Sequence, residues 1–129
     1  MASISDRTQI RPLPGCVFEN PVVSGTVYVG DAGYNNGGSV SQGNGGATAT
    51  AYTHCVVVAA PNGGTVATTG DRVDVVVFGR VTGYSGGTAN TTAYAGNAGG
   101  SIASAAGTVS HKIGVWRDDT TLFVLPEVH

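Results

Sequence analysis

At 129 residues and 12.8 kDa the chain is one domain with a modest core and much surface for its volume, so it gains from burial against a partner. Charged residues make up 11% of it against about 25% in an average domain, and its 21 glycines stand where about 9 are expected, so its polarity comes from Gly, Ser, Thr and Asn. A net charge of -2 with Lys112 as the single lysine argues against nucleic-acid binding, which needs clustered basic residues.

The Val-rich runs between the glycines carry too much apolar content for disorder, and the glycines lack the three-residue period of collagen. No run approaches the roughly 18 apolar residues of a membrane span, and the first residues lack the apolar stretch of a signal peptide. A chain made and used without secretion is expected, with no membrane partner, and Cys16 and Cys55 read as free buried thiols.

Residues 1–14 read as an extended arm and residues 15–129 as a single β domain. Pro12 and Pro14 favour extended backbone and remove donors, while Arg7, Ile10, Arg11 and Leu13 offer charge and apolar anchors. On composition alone the arm is either a frayed terminus or a strand that docks on a neighbour's sheet edge.

Pro21 then interrupts a Val-rich run, and residues 22–29 form the first expected strand. Residues 30–51 hold little that could fill a core, and their Asn-Gly and Gly-Gly steps predict a long mobile loop or a flat hairpin. Residues 53–60 are a continuous apolar run of the length of a doubly buried strand, closed by a turn at Pro61, Asn62, Gly63 and Gly64.

Over residues 71–82 strict alternation places Val73, Val75 and Val77 opposite Arg72, Asp74, Val76, Phe78 and Arg80. Residues 108–117 place Val109, His111, Ile113 and Val115 opposite Ser110, Lys112, Gly114 and Trp116, and Asp118-Asp119 turns the chain into residues 120–125 as a terminal hairpin. No apolar pattern of helical period extends over three turns. Residues 26–33 echo residues 92–99, either as a duplicated hairpin or as a chance match between glycine-rich segments.

Chemistry is sparse. His54 and Cys55 are adjacent and point to opposite faces of a strand, so one metal site could not easily use both. His111 falls on an apolar face, where a packed, hydrogen-bonded histidine is expected, and His129 is terminal. Asp71, Asp74, Asp118 and Asp119 sit at strand ends or turns, and no nucleophile motif or phosphate-cradling loop is present. Neither catalytic residues nor cofactor or metal ligands are assigned, and no enzyme activity is expected. The Asn90-Thr91-Thr92 sequon is a chance occurrence in a Thr-rich stretch.

The segment from Val77 to Tyr84, the later Tyr94 with Gly99-Gly100-Ser101-Ile102, and the ending His111 to Trp116 with Thr121 to Val124 resemble tailed-bacteriophage capsid decoration proteins, or cement proteins. The resemblance covers roughly the second half of the chain. It implies a small β-barrel or β-sandwich, β-tulip-like, on the outer surface of a virion assembled in the bacterial host cytoplasm. There the protein would tie neighbouring major capsid proteins together, as a homotrimer or a dimer. Arg7, Ile10, Arg11, Pro12 and Leu13 become the expected capsid-binding arm. Trp116 and Phe123, as large aromatics, are the candidate subunit interface, with ordinary core as the alternative for both and the expected place for Phe123. The rival readings are a carbohydrate-binding or adhesive module using the Tyr34-Asn35-Asn36 or Tyr84 loops, and a polysaccharide-active enzyme using Asp71 or Asp74.

Overall fold

Valine dominates the apolar content, and its branched side chain packs best on a pleated surface. The computed structural model describes Ile4 and residues 6–127, and it is all-β: among the described residues 45% are in strands or bridges and no helix reaches seven residues. In chain order the elements are β1 (Arg11–Pro12), β2 (Val17–Glu19), β3 (Thr26–Tyr28), β4 (Ala32–Asn36), β5 (Ser39–Gln42), α1 (Thr48–Ala51), β6 (Thr53–Ala59), β7 (Val66–Thr68), β8 (Asp74–Thr82), β9 (Thr92–Ala95), β10 (Ile102–Ala103), β11 (Lys112–Trp116) and β12 (Thr121–Val124). Ten of these strands form one strongly curled antiparallel sheet, ordered β10-β9-β11-β12-β8-β6-β4-β5 with β1 and β2 also on β8, and β3 pairs with β7 separately.

The spine is β8. One edge is lined by β1 and β2, whose registers run from Arg11 opposite Thr82 to Glu19 opposite Val75. The other edge is divided: β12 takes Gly79 to Thr82, and β6 takes Asp74 to Val76. The strand thus leaves one half of the curled sheet and enters the other near Gly79. That residue has φ of +129° and lies so close to Cys16 that a Cβ would strike it.

The crossover explains why strict alternation fails. Val75 and Val76 are both fully buried, because β8 is covered on both faces where the halves meet and Val77 is an extra residue opposite β2. A similar shift between Lys112 and Gly114 buries Ile113 and Trp116 and leaves Val115 half-buried. β6 is the expected doubly buried strand, and β11 with β12 is the expected terminal hairpin, pairing Trp116 with Leu122. The expected strand over residues 22–29 is broken by a turn at Ser24 and Gly25. Val22 and Val23 make isolated bridges, and β3 starts at Thr26. The two echoing segments are not equivalent, since β3 pairs with β7 whereas β9 pairs with β10 and β11.

Residues 30–51 form a hairpin, β4 with β5, followed by α1, and they supply Ala32, Val40 and Ala51 to the buried interior. Beyond the hairpin, their glycines close the curled sheet. The Gly45 amide donates to Gly96 O at 2.7 Å, Val109 N donates to Gly45 O at 2.8 Å, and Gly100 N donates to Gly43 O at 2.6 Å. Gly45 is required there because a Cβ would run into the main chain of Ala95. Gly45→Ala is expected to lower the unfolding free energy by about 2 kcal/mol through this overpacking. Urea denaturation measures it, and an unchanged midpoint would show that the seam does not hold the sheet closed.

Candidate functional site

The N-terminal segment lies on its own domain. Arg11 and Pro12 pair with β8, Leu13 N donates to Arg80 O at 2.8 Å, and Ile10 is 5% exposed within the core cluster. Ile10 is therefore a core residue of its own chain and not a free anchor. The remaining residues of the expected arm, 1–3 and 5, lie outside the described residues, as does His129. Arg11 and Pro12 are exposed, and among the described residues no strand pairs with the outer edge of β1 and β2.

Arg7 is held by Asp31, an acid within the segment that reads as a loop or flat hairpin, which proves to be 1% exposed. Its carboxylate accepts from Arg7 Nη1 at 3.0 Å, Tyr28 N at 2.9 Å and Gln42 Nε2 at 2.8 Å. Arg7 also donates to Val29 O at 2.8 Å and lies over the Tyr28 ring, 5.1 Å from its centroid. Tyr84 closes the same region from below: its hydroxyl donates to Gly30 O at 2.8 Å, and burial, more than the nearby Asp31 charge, pushes its pKa up. Tyr84 is thus buried and offers no platform to a glycan.

Trp116 is 0% exposed, packed edge-on against Tyr84 at 5.5 Å, so its place is the core and not a subunit interface. Phe123 is half-buried on the outer face, with Arg117 at 4.8 Å from its ring centroid and Phe78 edge-on at 5.2 Å. Phe78 is 45% exposed and pairs with Val17, 52% exposed, while Leu125, 48% exposed, follows Phe123 by the two-residue alternation. Val17, Phe78, Phe123 and Leu125 make an apolar stripe across β2, β8 and β12, rimmed by the exposed Arg80 and Arg117. It adjoins the open edge of β1 and β2.

A cleft of about 860 Å³ lies elsewhere, between the end of β2, the β4–β5 hairpin, α1 and β6, with Glu19, Asn35, Ser39, Thr48, Tyr52 and His54 on its walls. Reading along the chain could not assemble it, because these residues come from separate elements and carry no motif. Behind it, His111 is 1% exposed, its Nε2 2.8 Å from Thr53 O and its Nδ1 3.5 Å from Glu127 Oε1, with the Tyr52 ring edge-on at 5.5 Å.

The carboxylates do not converge. Asp71 accepts from Thr68 N, Asp74 accepts from Asn20 Nδ2, and Asp118 caps its own turn, where the Thr120 amide and hydroxyl hold its carboxyl below the usual range. Among the described residues no group of three or more His, Cys, Asp or Glu is placed to hold a metal ion, and no helix is long and apolar enough to cross a membrane. No protein-family model and no curated protein matches the chain.

Two outcomes follow. Asp31→Ala strands three buried or half-buried donors and is expected to cost about 3 kcal/mol. Arg7→Ala costs less, about 1 kcal/mol, because the guanidinium side chain is 35% exposed and partly screened by water; chemical denaturation of both variants gives the order. The Cys55 thiol is pushed up to about 12 by burial first and by the Glu19 charge second, against a lesser opposing hydrogen bond to Gly33. A thiol-reactive dye at mildly alkaline pH should therefore label the half-buried Cys16 in the folded protein and Cys55 only after unfolding.

Proposed function

We propose that this chain is a structural protein of the outer surface of a bacteriophage shell, a capsid decoration protein that binds major capsid proteins and ties neighbours together. The observation that carries the reading is the apolar stripe Val17, Phe78, Phe123 and Leu125 beside an open strand edge. Exposed aromatic and aliphatic side chains on a sheet face supply burial energy to a protein partner, and an unpaired edge supplies main-chain hydrogen bonds. The edge strands are short and contain Pro12, which blunts indiscriminate pairing and leaves the edge for a partner that fits.

The placement of Arg7 and Ile10 changes the expected docking. The contact to the shell is assigned to the outward side of Arg11, Pro12 and Leu13 and to the stripe, while Arg7 and Ile10 fasten that surface to its own domain. Phe123 stays in the docking face, either toward the shell or toward a second and third copy in a trimer. Weak contacts of this kind sum by avidity when they repeat over a symmetric shell.

The test is co-sedimentation with shells from which the protein has been stripped, followed by heating of the loaded shells. Saturable binding that protects the shell is expected, with Phe78→Asp weakening it by at least about tenfold. Phe78 is half exposed, so this variant should keep its folded circular-dichroism spectrum. Absence of binding by the unaltered protein overturns the cement reading, and unchanged binding by the Phe78 variant overturns the stripe as the contact.

A further inference from the structure

We infer that the cleft walled by Glu19, Asn35, Ser39, Thr48, Tyr52 and His54 is a binding site for a short uncharged oligosaccharide. None of these residues belongs to the apolar stripe, so the inference does not rest on the shell-docking reading.

Size comes first. A volume of about 860 Å³ is within the range of small-molecule sites, about 300–1,000 Å³, and would admit two or three sugar rings.

Charge narrows the ligand. Among the described residues lining the cleft there is no Lys or Arg, and Glu19 presents a carboxylate at the rim. A phosphate, a sulfate or an acidic sugar would meet like charge with no Lys or Arg to offset it. A neutral ligand rich in hydroxyl groups meets the reverse. The carboxylate accepts from hydroxyls, Ser39 and Thr48 both donate and accept, and the Asn35 amide is oriented by its Oδ1, which accepts from Gly38 N at 2.9 Å and so directs NH2 as a donor.

Tyr52 supplies the remaining element, an aromatic surface for the C–H face of a sugar ring. Its ring is half-buried, and it is braced edge-on by His111, itself fixed by Thr53 O and Glu127. A ring held in this way loses little freedom on binding. The platform is therefore Tyr52, reached from α1 and β6, and not the buried Tyr84.

The experiment is an amide NMR titration of the full chain with maltotriose, cellotriose, mannotriose and triacetylchitotriose at millimolar concentration, with a sulfated trisaccharide beside them. At least one neutral sugar should shift the amides of Asn35, Ser39 and His54 saturably. Glu19→Gln and Asn35→Ala, both at exposed positions, should weaken that sugar by about tenfold while the rest of the spectrum stays in place. Tyr52→Ala should abolish the response, and Tyr52→Phe, which keeps the ring and its contact with His111, should retain most of it. Three results overturn the inference: no saturable shift at the cleft with any of the four, shifts confined to another surface, or tighter binding of the sulfated sugar.

Discussion

A carboxylate with almost no contact with water must find its hydrogen-bond donors in the protein, and Asp31 gathers them from across the chain. Arg7 arrives from the N-terminal segment, the Tyr28 amide from the end of β3, and Gln42 from the end of β5. The main chain of the same residue receives Val57 N of β6, and Gly30 N next to it donates back to Val57 O. Gly100 lies against the carboxyl group with no room for a side chain, so the loop before β10 is also shaped around it. One buried charge thus positions the N-terminal segment, two hairpins and the closing seam. The polar contacts it makes are directional, which valine packing alone is not.

Much of the fold was legible wherever burial follows a simple period. The doubly apolar β6 and the hairpin of β11 with β12 could be read directly, because their side-chain patterns match how the strands are covered. Alternation misled in β8, where Val75 and Val76 share the interior at a crossover that depends on the partner strands and not on local sequence. The glycine-rich residues 30–51 look like a loop because glycine allows unusual backbone angles. Here Gly43 and Gly45 serve a second purpose, which is close approach of main chain to main chain, and composition does not separate the two uses.

The candidate surfaces were legible in part. Phe123 and Trp116 were both singled out as large aromatics, yet Phe123, expected in the core, lies on the outer face, whereas Trp116 fills the core beside Tyr84. Residue type alone cannot choose between these fates, since an aromatic ring suits an interface and an interior equally. Ile10 went astray because two prolines after it suggested a detached arm, when the segment in fact runs along the edge of β8. The cleft was invisible for a different reason: its walls come from four stretches of chain with no spacing rule among them. The apolar stripe and the polar cleft share no residue, although β2 contributes Val17 to the one and Glu19 to the other.

The position of β8 bears on how the molecule comes to be folded. Its two edges are filled by strands from opposite directions in the chain, β1 and β2 from well before it and β12 from well after it, with β6 sharing the latter edge. A ribosome-bound chain that has emerged only through β8 can pair that strand with β1, β2 and β6, yet the edge from Gly79 to Thr82 that β12 takes is still unpaired. Its unpaired strand edge remains open to pairing with other chains. Folding of the whole therefore waits on the last strand, and the pairings of β8 with β1, β2 and β12 all join residues far apart in sequence, the kind of contact that forms slowly.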